Sequence, residues 1–144
     1  MLFNARSETA SKKPTFRESW ERRRCIIPAS YYFEWEHFAD PSGKNRTGEK
    51  YMIQPKGEAV TLLAGLYRLE ETDGLPVPHF TILTREPSDE LRRIHDRMPV
   101  ILRPEAVSAW LDPASSLSAI REISENALTD MIFEKTGTAD RPGF

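Results

Sequence analysis

Short extended runs of β-branched, aromatic and other apolar residues dominate the chain between residues 24 and 102. Turn-forming segments rich in Pro, Gly, Asn and Asp separate them. None of the runs approaches the ~20 apolar residues that a membrane-spanning helix needs, and their composition favours strands. The predicted strands cover residues 24–28, 31–35, 51–54, 59–67, 79–84 and 98–102.

Helical patterns are short and lie before these runs, between the last two of them and after them. Pro14 is suited to the first turn of a helix that carries Phe16 and Trp20 on one face and residues 22–24 in its last turn. The predicted helices cover residues 14–24, 88–94, 104–111 and 117–132. The polar segments 40–49 and 70–76 are predicted to be loops.

These elements predict one α+β domain over residues 1–144, because strands with tight connections alternate with only a few helices. We expect a mainly antiparallel, barrel-like β-sheet with short flanking helices.

The net charge of -2 excludes a generic nucleic-acid binder. The charge is unevenly spread, however, since residues 1–24 hold seven basic and three acidic side chains. The excess of basic residues over residues 1–24, followed by an acidic remainder of the chain, permits a localised phosphate-binding surface. The alternative is that residues 22–24 only solvate the end of a helix.

A single cysteine, Cys25, excludes an intrachain disulfide. We therefore expect an intracellular, cytoplasmic protein, with Cys25 acting as a small buried hydrophobe. No Gly-rich phosphate loop, metal-ligand spacing or nucleophile elbow is present in the sequence, so neither a metal nor a small-molecule cofactor is expected.

Glu34 is a polar residue inside an aromatic strand pattern. Because alternate side chains of a strand share a face, Glu34 should point with Tyr32 and away from Phe33 and Trp35. A partly buried carboxylate has a raised pKa that suits proton transfer. The alternative is a solvent-facing glutamate on a half-buried strand.

His95 lies beside Asp96 and Arg97 at a predicted helix-to-strand turn, where it could be an oriented acid or base. It could equally cap the C-terminus of the helix. Near the start of the chain, Asn4 and Arg6 could bind a phosphate or a carbonyl, although Asn4 is also typical of a turn.

Seven short segments, taken in order, resemble consecutive motifs of the SOS response-associated peptidase (SRAP) family. The most distinctive is His-Asp-Arg-Met-Pro at residues 95–99, and the resemblance covers roughly residues 3–112. The segments lie at residues 4–9, 16–17, 24–29, 33–35, 64–66, 80–84 and 94–102.

The resemblance implies a protein that captures abasic sites in single-stranded DNA during the DNA-damage (SOS) response. In this family, autoproteolysis removes the initiator Met and exposes a cysteine. The cysteine amine condenses with the ring-opened sugar aldehyde, and the thiol closes the product into a thiazolidine cross-link. By resemblance the protein is thus a peptidase, with hydrolase and lyase-like chemistry, whose partner is abasic single-stranded DNA and not a membrane.

Three catalytic roles are implied by the matching motifs. Asn4 would orient the N-terminal residue, Glu34 would handle protons at the amine, and His95 would act as acid and base on the sugar.

Three DNA-binding roles follow in the same way. Arg6 and Arg97 would bind flanking phosphates, and Thr84 would line the pocket.

The sequence departs from the family at its start and its end. Family members begin with Met-Cys-Gly well upstream of the Asn-Ala-Arg motif. Here the second residue is Leu2, and the Asn-Ala-Arg motif already begins at Asn4. We therefore expect an N-terminally truncated chain that lacks the first strands and the reactive cysteine. Tyr31 replaces the Gly that the family usually has before the aromatic pair. Residues 113–144 are expected to form a divergent C-terminal tail.

Enzymatic activity stays open on these grounds. The alternatives are a piece of a longer cross-linking protein, a truncated non-catalytic homologue that binds single-stranded DNA non-covalently, and an unrelated binding domain. The sequence predicts no oligomeric state.

Overall fold

The computed structural model describes residues 3–136 as two β-sheets flanked by short helices. The strands are β1 (Asn4–Arg6), β2 (Arg24–Ala29), β3 (Tyr32–Ala39), β4 (Asn45–Pro55), β5 (Thr61–Thr72), β6 (Leu75–Arg85), β7 (Met98–Pro99) and β8 (Met131–Lys135). The α-helices are α1 (Ser7–Ala10), α2 (Arg17–Arg22), α3 (Val107–Leu111) and α4 (Leu117–Glu125), and a 3₁₀ turn at Pro104–Ala106 leads into α3. Within this part of the chain no helix combines the length and the apolar character that crossing a bilayer demands.

The strands form one five-stranded and one three-stranded sheet. The larger sheet has the order β1-β6-β5-β2, with β7 also paired to β6, and the smaller has the order β3-β4-β8. Only the β1–β6 pair is parallel among the described strands. The predicted α+β fold with a mainly antiparallel, barrel-like sheet is confirmed, although the two sheets do not close into one barrel over residues 3–136.

Alternation along β5 directs its side chains into two separate apolar layers. Ala64 and Leu66 face the helices, where Trp20 and Trp110 are buried with their ring centroids 6.0 Å apart. Leu63 faces the other way, into the layer between the two sheets. The larger sheet is therefore covered on both faces, which explains why β5 is apolar along most of its inner half.

Arg24 connects the helices to the edge of the larger sheet. Its side chain is buried, and its guanidinium donates hydrogen bonds of 2.6–3.0 Å to the backbone carbonyls of Trp20, Glu21, Trp110 and Asp112. The structure confirms the strand predicted to begin at Arg24, since β2 begins there. Placing Arg24 in the last turn of the preceding helix is wrong, because α2 ends at Arg22.

Both predicted polar loops are shorter than expected. The segment 70–76 turns only at Asp73 and Gly74, which have φ of 52° and 77° and suit a two-residue hairpin turn. In the segment 40–49, strand β4 already begins at Asn45. Both segments hold the turn of a hairpin, as predicted, but their predicted bounds were too wide. The outer parts of these hairpins are exposed, so their strands carry polar residues without an alternating pattern.

Two predicted helices also differ from the structure. Residues 88–94 form consecutive turns, and the Ser88 hydroxyl makes no hydrogen bond, so it does not cap a helix. The helix predicted over residues 117–132 ends at Glu125, and the chain continues into β8, which pairs with β4. Met131 is buried in the layer between the sheets, and tertiary pairing overrides the helical pattern there. The helix predicted from Pro104 to Leu111 is confirmed as the 3₁₀ turn and α3.

Replacement of Trp110 by alanine is expected to lower the free energy of unfolding by about 3–5 kcal/mol, because it opens a cavity in the helix-side layer. The substitution also removes the indole hydrogen bond to the Cys25 carbonyl. Urea unfolding measures the loss. The matched control is Leu111→Ala, since that neighbouring side chain is 47% exposed. Equal losses in the two variants would contradict the described core.

Candidate functional site

A groove opens at the rim of the layer between the two sheets. Its floor is apolar, and its polar side chains come from β1, β3, β6 and the turn segment before β7. We call this feature the groove; it is lined by Asn4, Tyr32, Phe33, Glu34, Leu63, Ile82, Thr84, His95, Arg97, Met98 and Pro99. Five of the six residues predicted as site residues therefore meet at one place, although they are distant in sequence.

Asn4 and Arg6 occupy one face of β1. Ala5, between them, is buried on the helix side, so alternation turns Asn4 and Arg6 the other way. The parallel pairing with β6 sets Asn4 opposite Ile82, which lines the groove, and Arg6 opposite Thr84. Arg6 is exposed and forms no ion pair with any residue of the described chain. It is the predicted site residue that does not line the groove itself.

Glu34 faces the groove as strand alternation predicted. Tyr32, on the same side, packs into the layer between the sheets, whereas Phe33 is exposed. One Glu34 oxygen, Oε1, accepts a hydrogen bond of 3.1 Å from the backbone N–H of Trp35. Burial, reinforced by the nearby Glu34 charge, raises the pKa of Tyr32. Tyr32 therefore stays a neutral hydrogen-bonding group beside a carboxylate.

His95 lies in the turn segment, with one ring nitrogen held by its neighbours. Its Nδ1 is 3.1 Å from the backbone N–H of Arg97, which donates to it, and 3.1 Å from Asp96 Oδ1. A neutral ring accepts the first contact, and a ring protonated at Nδ1 donates to the second. In either state the contact at Nδ1 orients the ring and leaves Nε2 without a hydrogen bond to the described residues. His95 does not cap a helix, because residues 88–94 form turns.

His37 also joins this site, although no pattern in the sequence predicted it. Its ring meets that of His95 edge-on, with centroids 4.7 Å apart. Its Nε2 is 4.0 Å from Glu34 Oε1. One ligand-capable atom from each of Glu34, His37 and His95 lies within 4.8 Å of the other two, so these three residues could hold a metal ion.

Arg97 and Thr84 form a hydrogen-bonded wall of the groove. The Arg97 guanidinium donates to Thr84 Oγ1 at 3.2 and 3.3 Å and to both carboxylate oxygens of Glu8 at 2.8 and 3.1 Å. Only 13% of the Arg97 side chain is exposed. A phosphate bound by Arg97 would have to share the guanidinium with Glu8. The assignment of Arg97 and Thr84 to DNA binding stays a prediction.

Some basic side chains of the N-terminal segment make contacts within the protein, and others are exposed. Arg24 is buried among backbone carbonyls, and Arg23 pairs with Glu18 at 3.3 Å. Arg6 remains exposed beside the groove. Also exposed are Lys12, Lys13, Arg17 and Arg22. The predicted phosphate-binding surface therefore loses Arg23 and Arg24 and keeps the other basic side chains of the segment.

A second concavity lies along the β5–β6 hairpin, and its polar groups satisfy one another. Glu70 pairs with Arg68 at 2.6 Å and with His79 at 3.6 Å, and all three line the concavity. The third histidine of the chain therefore lies apart from the groove, where it provides a natural control for His37 and His95.

The chain matches the family described as SOS response associated peptidase (SRAP) over residues 1–135. It is 39% identical over 116 residues to the abasic site processing protein YoaM of Bacillus subtilis, an alignment that covers 80% of this chain and 49% of YoaM. Over 127 residues it is 30% identical to the abasic site processing protein YedK of Escherichia coli, covering 85% of this chain and 53% of YedK. The chain thus spans about half the length of the curated relatives it matches.

A similar fold is found among solved structures. A crystal structure of a protein from Bacteroides thetaiotaomicron superposes with a TM-score of 0.77 at 31% sequence identity. The superposition covers 92% of this chain and 57% of that protein.

The Glu8–Arg97 pair makes the stability of the groove wall depend on pH. Although burial works to raise the pKa of Glu8, the hydrogen bonds and charge of Arg97 outweigh it, and the pKa lies below the ordinary 4.5. The stability that Glu8 contributes is therefore present above its ordinary pKa and is lost as the pH falls through its lowered value.

Glu8→Gln is accordingly expected to lower the free energy of unfolding at pH 7, and the difference from the native protein should close as the pH falls below the ordinary pKa of 4.5. Because Glu8 is 44% exposed, the effect at pH 7 should not exceed about 1 kcal/mol. Urea unfolding at a series of pH values measures it. The control is Glu90→Gln, an exposed glutamate without an ion pair in the described chain. A difference independent of pH would contradict this interpretation of the pair.

Proposed function

Because the chain belongs to the SOS response associated peptidase (SRAP) family, we propose that its groove binds abasic sites in single-stranded DNA and that the protein processes them in the DNA-damage (SOS) response. The observation that carries the proposal is the convergence of Asn4, Glu34 and His95 on one groove from three distant segments. The names of the relatives, which are abasic site processing proteins, support the same substrate.

An abasic nucleotide suits the shape and polarity of this groove. Without a base, the sugar can enter a site whose floor consists of Leu63, Ile82 and Met98. Its ring-opened form presents an aldehyde carbon and hydroxyl groups, which hydrogen-bond to the polar walls. Single-stranded DNA is the proposed form because a flexible single strand can turn its sugar into the groove without the cost of opening base pairs, which a duplex would have to meet.

Proton transfer in the proposed reaction falls to His95 and Glu34. His95, held through Nδ1, presents Nε2 to the sugar, where it donates to the ring oxygen as the ring opens and accepts the proton of the anomeric hydroxyl. Glu34 removes a proton from the attacking amine, and Asn4 positions that amine. The two roles use different groups, a carboxylate on β3 and an imidazole in the segment before β7.

Covalent capture is proposed for a form of the protein with an N-terminal cysteine. The amine would add to the aldehyde carbon and expel water to form an imine, and the thiol would then add across the imine to close a thiazolidine. The autoproteolytic peptidase activity would be the step that exposes this cysteine. Both steps belong to the hydrolase and lyase-like chemistry of the family.

In the sequence as printed, the only thiol is that of Cys25. It lies in β2, is not part of the groove lining, and burial raises its pKa, so it does not supply the reactive thiolate. Met1 and Leu2 lie outside the described residues. For the sequence as printed we propose non-covalent recognition of the abasic site. The proposed compartment is the cytoplasm, in keeping with a single unpaired cysteine.

Arg6→Ala is expected to weaken binding of single-stranded DNA similarly for all sequences and to reduce the slope of log affinity against log salt by about one, since one phosphate contact is lost. Fluorescence anisotropy of a labelled abasic oligonucleotide at several salt concentrations measures this. Lys56→Ala, in the exposed turn after β4 of the smaller sheet, removes the same charge away from β1 and serves as the control. Unchanged binding in Arg6→Ala would count against the proposed contact between Arg6 and a DNA phosphate.

His95→Ala is expected to weaken binding of a natural abasic site roughly fivefold, the effect of one lost hydrogen bond of about 1 kcal/mol. It should leave binding of the tetrahydrofuran analogue unchanged, because that analogue has no anomeric hydroxyl and cannot open. The control is His79→Ala, outside the groove.

The same mixtures, separated on a denaturing gel with and without borohydride, report whether any adduct is covalent. Equal weakening of both oligonucleotides by His95→Ala would remove the proposed role at the sugar. Absence of salt-sensitive binding to either oligonucleotide would overturn the proposed function as a whole.

A further inference from the structure

Three side chains with strong metal-binding atoms meet beside the floor of the groove. We propose that Glu34, His37 and His95 bind one divalent transition-metal ion of the zinc class, with water as the fourth ligand. The ligand-capable atoms of the three lie within 4.8 Å of one another. Two imidazoles, one carboxylate and water form a ligand set that zinc accepts in tetrahedral geometry.

An irregularity in the pairing of β3 with β4 lies inside this cluster. In a regular strand, residues three apart point to opposite faces, so Glu34 and His37 should diverge. The register shifts between Trp35, opposite Lys50, and His37, opposite Thr47, so β4 holds one extra residue at this point. Within this irregular stretch the Nε2 atom of His37 lies 4.0 Å from Glu34 Oε1.

The backbone also holds His37 against the segment that carries His95. The His37 N–H donates a hydrogen bond of 3.0 Å to the carbonyl of Ile94, the residue before His95. Ile94 is itself buried between the two sheets. Two of the three proposed ligands are therefore positioned by one main-chain contact anchored in the core.

Only a small movement separates the observed positions from a coordination sphere. Zinc–nitrogen and zinc–oxygen bonds of about 2.0–2.2 Å place tetrahedral ligand atoms about 3.3 Å apart. The His37 side chain is 50% exposed and can rotate toward Glu34, from which its Nε2 is 4.0 Å away. Glu34 and His95 are more buried and would move less.

Asp96 completes the arrangement by accepting the second ring proton of His95. When a metal binds imidazole Nε2, the remaining proton lies on Nδ1, and ligating histidines donate it to a carboxylate or carbonyl. The Nδ1 atom of His95 is 3.1 Å from Asp96 Oδ1, so the required acceptor is already in place. Binding would exchange the Nδ1 contact with the Arg97 amide for the contact with Asp96.

The local charge permits a cation. Arg97, the cation that lines the groove, is neutralised by both oxygens of Glu8. Glu34 and Asp96 bring negative charge to the proposed ligands. Nitrogen ligands select zinc, cobalt or nickel over magnesium and calcium, which prefer oxygen ligands.

If the proposed function holds, metal binding regulates the groove. The ion would occupy Glu34 and His95, the two groups proposed to move protons at the abasic site. Zinc and the abasic nucleotide would then compete, and His37, which has no role in the proposed reaction, would make the site sensitive to zinc.

Titration of the purified chain with Zn²⁺ by calorimetry tests the site, and the absorption of Co²⁺ reports its coordination. We expect one ion per chain, and an intense visible Co²⁺ spectrum of a four-coordinate site. His37→Ala should weaken Zn²⁺ binding at least tenfold, and Asp96→Ala by about tenfold. His79→Ala is the matched control and should leave the affinity unchanged.

Thermal unfolding first checks that each variant folds; His37→Ala keeps the main-chain bond to Ile94. Equal Zn²⁺ affinity in His37→Ala and the native protein, or an equal loss in His79→Ala, would overturn the proposal. Zn²⁺ should also displace the abasic oligonucleotide from the native protein at concentrations at least tenfold lower than those that displace it from His37→Ala. Because metal binding is measured without DNA, failure of the metal site and failure of the proposed function are distinguishable.

Discussion

The apolar layer between the two sheets is the constraint on which the groove depends. Tyr51 and Ile53 of the smaller sheet pack there with Leu63 and Met98 from the larger one. Leu63 and Met98 also form part of the groove floor, so the floor is the exposed margin of a packed core. Polar groups on such a support keep their separations, because displacing them requires the core to repack.

The segment between β6 and β7 has turns in place of a helix, and a few contacts determine its position. The His37 N–H holds the Ile94 carbonyl from one side. From the other side, Arg97 connects the segment to Glu8 and Thr84. His95 lies between these attachments, which explains how a residue in a segment without regular structure reaches Glu34 with a fixed ring orientation.

Sequence patterns predicted the parts of the site that depend on local geometry. Strand alternation correctly turned Glu34 toward Tyr32, since a period of two needs no tertiary information. His37 was missed because the pairing of β3 with β4 is irregular next to it, and the sequence of β3 does not indicate that irregularity. The pairing of Glu8 with Arg97 joins positions 89 residues apart, which only the fold brings together. The sequence pattern predicted a helix where β8 lies, because β8 is a strand only through its pairing with β4, which is far away in the chain.

The most direct test of the central claim uses the three histidines as reporters. In ¹⁵N-labelled protein, the imidazole signals of His37, His79 and His95 are followed by NMR while an abasic single-stranded oligonucleotide is added. Binding in the groove predicts large shifts for His95, smaller ones for His37, and none for His79, which lies by the β5–β6 hairpin. Shifts confined to His79, or unchanged signals from all three under conditions where the DNA is bound, would contradict the assignment of the groove.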